Sequence, residues 1–249
     1  TTPYTILVVD DNPDMTDFLK RTFEGYFKRI IIAGDGVEAL QLVRSHVPDI
    51  IVSDVMMPRM NGYKLCKTIK EDINISHIPV ILLTARDDRQ SQISGYKNGA
   101  DGYLSKPFEV EMLMELIRNR LKNREYTKKR YLNAGLIPTP EESTISLTDE
   151  TFLIKLNSII QENIDNTNLG IQFICQEVGL GRSSLYNKLK ALTGMGANEY
   201  ISKLRIEKAI TLISGTDMPF SEIAEKTGFT TPSYFSTTFK QYTGCLLYT

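Results

Sequence analysis

Three carboxylates, one hydroxyl and one amine stand at the ends of short apolar runs in the first half of the chain. They are Asp10, Asp11, Asp54, Thr84 and Lys106. If the apolar runs are parallel strands, their carboxyl ends meet at one edge of a sheet, where open α/β sheets bind ligands. Carboxylates at such short distances repel one another unless a cation lies between them. Hard oxygen donors beside a phosphate are suited to binding Mg²⁺.

The same groups are suited to carrying a phosphoryl group. A carboxylate can attack phosphorus as a nucleophile and give an aspartyl phosphate. Lys106 would then neutralise one phosphoryl oxygen, Thr84 would donate a hydrogen bond to another, and the small Ala85 would leave room for the incoming group. Any one of these residues alone is most often a cap, a turn residue or a solvated charge. Their joint occurrence at successive strand ends favours a functional site.

The elements that would position these groups alternate between strands and helices over 5–124. Helix starts are indicated by Asn12 with Pro13 and by Asp35 with Glu38. Five apolar runs rich in β-branched residues predict buried parallel strands. These runs are 6–9, 29–33, 50–52, 80–83 and 103–104. The pattern predicts a doubly wound α/β domain with a five-stranded parallel sheet.

Four segments of this half resemble the sequence signatures of response-regulator receiver domains, over nearly all of 4–124. The segments are ILVVDDN at 6–12, DVMMPRMNG at 54–62, LTA at 83–85 and GADGYLSKPF at 99–108. The resemblance implies a flavodoxin-like fold with Asp54 as the phospho-acceptor. It also implies a histidine kinase as the phosphoryl donor, on the same polypeptide or on another.

The resemblance implies roles for the neighbouring residues as well. Thr84 and Lys106 would contact the phosphoryl group, and Tyr103 would turn inward as a switch when Thr84 moves. The peptide bond between Lys106 and Pro107 would be cis. The implied Mg²⁺ ligands are Asp10, Asp11, Asp54 and the backbone carbonyl of Met56.

The second half of the chain is helical in pattern and carries an internal repeat. Residues 183–194 align with 233–244, and 174–180 align with 223–229. Each copy predicts a helix, a glycine turn and a second helix, which is the helix-turn-helix plan. Single units of this kind also occur in plain helical bundles, but two units joined by a helix over 198–214 favour DNA binding.

The second helix of each copy pairs an apolar face with a polar face that suits a DNA major groove. The residues predicted to contact DNA in the first copy are Arg182, Ser183, Ser184, Asn187 and Lys188. Those in the second copy are Thr231, Ser233, Tyr234, Thr237, Thr238 and Gln241. These side chains predict two recognition helices.

Two strings in this half resemble AraC-type DNA-binding domains, over about 152–244. They are LYNKLKALTG at 185–194 and GFTTPSYFSTTFKQYTG at 228–244. The resemblance implies that the two recognition helices enter successive major grooves on one face of the DNA. The family normally continues past Gly244 with a proline-containing turn and a final helix, which predicts a truncated or altered C-terminus here.

Charge and composition set the domain boundaries and the setting. Residues 1–130 hold twenty basic and eighteen acidic side chains, whereas 131–249 hold nine and twelve, a weak attraction for DNA phosphates. We predict a receiver domain at 1–130, a linker at 131–150 and a DNA-binding domain at 151–249. Three separated cysteines and the lack of a bilayer-length apolar run predict a cytoplasmic protein, tethered to the membrane if it is the C-terminal part of a hybrid sensor chain.

Together these features predict a phosphorylation-switched transcriptional regulator of a two-component system that is not a turnover enzyme. Its expected partners are promoter DNA and a second copy of the phosphorylated chain, with RNA polymerase as a further candidate. The dimer would form as phosphorylation changes the surface near 87–108. Two alternatives stay open. A Mg²⁺-dependent aspartyl phosphatase would need a second Asp where Asn12 stands. An interaction module would bind protein through the weakly charged helical half.

Overall fold

A computed structural model of the protein describes residues 2–85, 99–134 and 146–244, with the backbone alone at 130–134. The described residues fall into two compact units. The first runs to Tyr126 and includes 146–149, and the second holds 127–134 and everything from Glu150 onward. The predicted linker at 131–150 is helical up to Ala134 and again from Leu147. Its centre at 135–145 and the predicted altered C-terminus after Gly244 lie outside the described residues, as does most of the predicted switch surface near 87–108.

The first unit is built on a five-stranded parallel sheet, as the sequence predicts. Its strands are β1 (Thr2–Val9), β2 (Phe27–Ala33), β3 (Ile50–Asp54), β4 (Val80–Ala85) and β5 (Gly102–Lys106). Their order across the sheet is β2-β1-β3-β4-β5. The chain therefore moves outward in one direction from β1 and in the other from β3. Open α/β sheets bind ligands at the carboxyl ends of the strands where the order switches in this way.

Helices cover both faces of the sheet. They are α1 (Pro13–Phe23), α2 (Gly36–His46), α3 (Gly62–Glu71) and α4 (Val110–Ala134). The predicted helix starts are confirmed, because the side chain of Asn12 caps α1 and that of Asp35 caps α2. The peptide bond between Lys106 and Pro107 is cis, as the resemblance implies.

The core explains why the strand residues are apolar on both sides. Ile6 and Val8 of β1 are fully buried with residues of α1 and α4. Leu7 and Val9 point the other way and are buried with residues of α2 and α3. Successive side chains of a strand alternate between faces, so a sheet covered on both faces needs apolar residues at every position.

The second unit consists of helices. They are α5 (Leu147–Glu162), which belongs to this unit from Glu150 onward, α6 (Ile171–Val178), α7 (Arg182–Thr193), α8 (Ala197–Gly215), α9 (Phe220–Lys226) and α10 (Pro232–Thr243). The two predicted helix-turn-helix units are α6 with α7 and α9 with α10, and α8 is the predicted connecting helix. No helix among the described residues has both the length and the apolarity needed to cross a bilayer.

The repeat in the sequence corresponds to a repeat in packing. In the first copy Leu185 and Leu189 of α7 are buried, and in the second Phe235 and Phe239 of α10 are buried at the aligned positions. The aromatic pair packs with Phe229 in the turn of the second helix-turn-helix unit. The ring centres of Phe235 and Phe229 are 5.1 Å apart, and those of Phe235 and Phe239 are 5.8 Å apart. The apolar faces are thus confirmed as core at these four positions. Tyr242, which the same helical spacing predicts to be core, is 37 % exposed, and the prediction is wrong for this residue.

Gly62 brings the start of α3 against the end of β3. Its N–H donates to the carbonyl of Val55 at 2.9 Å, and a Cβ at this position would lie 2.2 Å from the carbonyl oxygen of Asp54. That oxygen belongs to the backbone and cannot move without displacing the Asp54 carboxylate. We therefore expect Gly62→Ala to lower the free energy of unfolding by about 2–3 kcal/mol, measured by urea titration.

Gly34→Ala is the matched control for this substitution. A Cβ at Gly34 would meet only the Glu38 carboxylate, at 3.6 Å, which is ordinary contact. We expect Gly34→Ala to change the stability by less than about 1 kcal/mol in either direction. Equal destabilisation by the two alanines would show that the close approach of Gly62 to Asp54 does not constrain this loop.

Candidate functional site

The ammonium of Lys106 lies between two carboxylates at the carboxyl ends of the strands. Its Nζ is 2.9 Å from Oδ2 of Asp10 and 2.5 Å from Oδ1 of Asp54. Asp10 directly follows β1, Asp54 ends β3 and Lys106 ends β5. The parallel strands thus bring together three residues that are far apart in sequence, at the edge that the sequence pattern predicts.

The remaining oxygens of both carboxylates also accept hydrogen bonds. Oδ1 of Asp10 accepts the N–H of Asn12 at 2.9 Å, and Oδ2 of Asp54 accepts the N–H of Met56 at 2.8 Å. Each carboxylate is therefore fixed by one backbone N–H and by the shared ammonium of Lys106. Fixed carboxylates keep their orientation, which is what a nucleophile needs before its reaction partner arrives.

Burial dominates the electrostatics of this cluster. The pKa of Asp54 is raised above its ordinary value, because burial and the nearby charge of Asp10 outweigh the stabilising effect of Lys106. Burial alone would lower the pKa of Lys106, but its hydrogen bonds to Asp54 and Asp10 raise it. Lys106 is therefore firmly charged, and Asp54 is a carboxylate that gains from further positive charge.

A buried hydroxyl lies beside the carboxylate pair. Thr84, near the end of β4, is 1 % exposed, and its Oγ1 makes no hydrogen bond within the part of the chain that the structure describes. An unsatisfied buried hydroxyl costs stability, so Thr84 is a candidate donor to an acceptor that enters the site. Tyr103 lies on the neighbouring strand opposite Leu82 and is half-buried. The switch role predicted for Tyr103 stays a prediction.

The chemistry of the donor set fits a hard divalent cation. Asp10 and Asp54 carry two negative charges against the single positive charge of Lys106, and the exposed Asp11 adds a third negative charge close by in the sequence. No group of three or more His, Cys, Asp and Glu side chains within the described ranges forms a closed metal cage. Mg²⁺ does not need one, since it binds through one or two carboxylates and keeps several waters.

The loop that follows β3 is held by a pair that sequence reasoning missed. Arg59 donates to the Asp35 carboxylate, which also caps α2, and the N–H of Gly36 donates to the carbonyl of Met60 at 3.2 Å. These contacts fix the loop that contains Met56. Asp35 and Arg59 lie on different loops, so no sequence spacing signals the pairing.

The polar side of α7 is open, as a groove-reading helix requires. Arg182 and Ser183 are exposed, and Ser184 and Asn187 are half-buried. Arg182, Ser183 and Asn187 line one open depression of about 520 Å³. Tyr186 also lines it and is 55 % exposed, although sequence reasoning omitted this residue. Its spacing of four residues from Arg182 and three from Ser183 was the available signal, because residues so spaced share one face of a helix.

The polar side of α10 is open as well. The exposed residues among those predicted to contact DNA are Thr231, Ser233, Tyr234, Thr237 and Gln241. The Thr231 hydroxyl also caps α10, because its Oγ1 accepts the N–H of Tyr234 at 3.2 Å. DNA contact by these residues stays a prediction.

Two residues predicted to contact DNA are buried, and the prediction is wrong for both. Lys188 is fully buried, with its ammonium 5.1 Å from the centre of the Phe152 ring of α5. Thr238 is 5 % exposed and sits beside the buried Phe239. Helical periodicity placed both at the edge of the polar face, and packing of the neighbouring helices covers that edge.

Comparison with known proteins agrees with this geometry. The family model for the response regulator receiver domain matches residues 6–118, and a helix-turn-helix domain model of the AraC type matches 174–248. The response regulator MprA of a Mycobacterium species is 36% identical over 165 residues, which cover 61% of this chain and 70% of that protein. The chain belongs to the response regulator family.

Two further relatives show how the similarity extends. Histidine kinase P4 of Formosa agariphila is 40% identical over 237 residues, which cover 95% of this response regulator and 17% of that protein. The solved receiver domain of the Francisella response regulator 1452 is 38% identical, with 48% of this chain and 97% of that chain covered at a TM-score of 0.44. This chain thus spans about a sixth of the kinase and about half of other curated relatives such as response regulator Rre1 of Synechocystis.

The Lys106 ammonium offsets the repulsion between Asp10 and Asp54. We expect Lys106→Met to lower the free energy of unfolding by about 2 kcal/mol, less than for a fully buried pair because the side chain is 27% exposed. Asp54→Asn in the Lys106→Met background should recover part of this loss, because it removes one of the two repelling charges. Urea unfolding of the two single variants and the double variant, in the presence of a chelator, measures the coupling.

Lys67→Met is the matched control, since Lys67 is 60% exposed and its pair with Glu71 spans 3.8 Å. We expect this control to change stability by less than about 0.5 kcal/mol. Additive effects of Lys106→Met and Asp54→Asn would contradict the coupling.

Proposed function

We propose that this response regulator accepts a phosphoryl group on Asp54 from a histidine kinase and controls transcription through its two helix-turn-helix units. The observation that carries the proposal is the arrangement of Asp54, Lys106 and Asp10 at one strand edge, with the unsatisfied hydroxyl of Thr84 close by in the fold. The two family models support it by covering both the receiver and the helix-turn-helix half.

The chemistry of the transfer follows from the positions of these groups. A carboxylate oxygen of Asp54 attacks phosphorus, the bond from phosphorus to the kinase imidazole breaks, and the imidazole nitrogen keeps the electron pair. Lys106 holds positive charge within hydrogen-bond distance of Asp54, where negative charge accumulates on the phosphoryl oxygens. The hydroxyl of Thr84 gains an acceptor once a phosphoryl group is in place.

Mg²⁺ is the cofactor that the site chemistry supports. Asp10, Asp11, Asp54 and the carbonyl of Met56 would hold it, and when bound it supplies charge neutralisation for the phosphoryl oxygens. The chain's own part is to keep Asp54 oriented through the N–H of Met56 and to keep the loop that follows β3 in place. Binding of phosphate at Thr84 would draw that hydroxyl toward the site and open the path along which Tyr103 turns inward.

The output half is proposed to bind promoter DNA through α7 and α10. Exposed side chains with short polar ends, such as Ser183 and Thr237, can reach base edges, while Arg182 can pair with a phosphate or a guanine. Phosphorylation would favour a homodimer, which doubles the surface offered to DNA, and RNA polymerase is a candidate partner at the promoter. The kinase domain lies on the same polypeptide or on a separate one.

The phosphoryl chemistry is tested by incubating the full chain with acetyl phosphate and Mg²⁺ and measuring its intact mass. We expect a gain of one phosphoryl group in the wild type and none in Asp54→Asn, because the amide cannot form the acyl phosphate. The gain should also disappear when a chelator removes Mg²⁺.

Asp14→Asn is the control, since Asp14 is an exposed acid in the first turn of α1. It should take up the phosphoryl group like the wild type. Uptake that persists in Asp54→Asn would contradict the proposed acceptor. Steady release of phosphate from a phosphomonoester would instead identify the chain as an aspartyl phosphatase.

A further inference from the structure

A buried arginine lies at the junction of the two helix-turn-helix units. Arg205 is in the middle of α8 and is only 8 % exposed, and burial lowers its pKa. In the sequence it looks like one more basic residue available to DNA, but its guanidinium does not face solvent. A buried guanidinium is costly unless the surrounding groups satisfy it, so its partners show what it does.

On one side the Arg205 guanidinium binds the turn that precedes the first helix-turn-helix unit. Its Nε donates to the carbonyl of Ile164 at 3.2 Å, and its Nη2 donates to the carbonyl of Asn166 at 2.6 Å. Both carbonyls lie between α5 and α6. One planar group therefore ties the connecting helix α8 to the start of the first helix-turn-helix unit through two charge-assisted hydrogen bonds.

On the other side the same guanidinium contacts the turn of the second helix-turn-helix unit. Its Cζ lies 6.0 Å from the centre of the Phe229 ring. Gly228 comes so close that a Cβ there would be 2.7 Å from Nη2 of Arg205 and 2.3 Å from the carbonyl oxygen of Ile164. Gly228 has φ +73, so this close approach also uses a backbone conformation that favours glycine.

The packing on either side of Arg205 shows why this contact matters. The N-terminal part of α8 joins α5, where the Tyr200 hydroxyl donates to Asn157 at 2.8 Å. In the C-terminal part of α8, Ile206 and Ala209 pack into the aromatic core of the second helix-turn-helix unit. Arg205 stands between these two parts. Bending of α8 at this point would move one helix-turn-helix unit relative to the other. Arg205 opposes this movement because it contacts both the turn before α6 and the turn between α9 and α10.

We propose that Arg205, with Ile164, Asn166, Gly228 and Phe229, forms a clamp that makes the two helix-turn-helix units one rigid reader of DNA. The role is that of a positioning residue, not of a DNA contact. It rests on the proposed DNA binding and specifies it further, because a rigid reader recognises two DNA segments only at a fixed spacing. Without the clamp, the units would tolerate a change in that spacing.

DNA binding provides the first test. Duplexes are selected from a random pool with the full phosphorylated chain, and the two contacted segments are located by footprinting. Affinity is then measured for the selected duplex and for the same duplex with one base pair inserted between the segments, which shifts them by about 3.4 Å. We expect the insertion to weaken wild-type binding at least about tenfold and Arg205→Met binding less than about threefold.

Two further variants control this test. Lys208→Met removes an exposed charge from the same helix, so it should keep the full spacing penalty of the wild type. Arg205→Lys keeps the positive charge but lacks the planar group that spans two carbonyls and an aromatic ring, so it should lose the penalty as Arg205→Met does. It also serves as the test variant if Arg205→Met does not fold. A full spacing penalty in both Arg205 variants would overturn the clamp.

A second measurement does not depend on DNA. Spin labels are attached to Ser183→Cys and Thr237→Cys, both exposed, in a chain whose Cys175 and Cys245 are replaced by serine. The distribution of the distance between the labels should be narrow in the wild type and in Lys208→Met, and clearly broader in the Arg205 variants. Equal widths would overturn the clamp. If the selection yields no DNA, the proposed DNA binding fails, and the widths alone still decide the clamp.

Discussion

The ammonium of Lys106 lies between the buried carboxylates of Asp10 and Asp54 at the strand edge and offsets their repulsion. Asp10 and Asp54 would repel without it, and burial already raises the pKa of Asp54. The packing of the first unit holds this set in place. A parallel sheet buried on both faces fixes the strand ends, and Gly62 lets α3 begin directly against the Asp54 backbone. The site is thus a consequence of strand order and close packing.

The second unit uses its basic residues differently from the way a DNA-binding domain is usually pictured. Lys188 lies over an aromatic ring in the core, and Arg205 bridges two turns. Lys203 is 8 % exposed and pairs with Glu207 at 3.8 Å. Three basic residues are therefore buried within the helical scaffold, so fewer charges are available to attract DNA phosphates than the sequence suggests.

The sequence predicts the five-stranded sheet and the meeting of Asp10, Asp54 and Lys106 at one strand edge, because each of these residues directly follows or ends an apolar run. β-branched runs such as the one ending at Asp54 identify buried strands, and the strand order brings their end residues together. The burial of Lys188 and Thr238 could not be predicted, because helical periodicity does not show which edge of a face a neighbouring helix covers. The partners of Arg205 and Arg59 were also inaccessible, since backbone carbonyls and loop carboxylates carry no sequence signal for a distant arginine.

Control of DNA occupancy by a phosphoryl group on Asp54 is tested by measuring the affinity of the full chain for its selected duplex before and after phosphorylation. Binding is measured at one fixed salt concentration, with Asp54→Asn treated identically. We predict that phosphorylation raises the affinity of the wild type at least about fivefold and leaves that of Asp54→Asn unchanged. Equal affinities of the phosphorylated and unphosphorylated wild type would contradict the claim that the receiver controls the DNA-binding half.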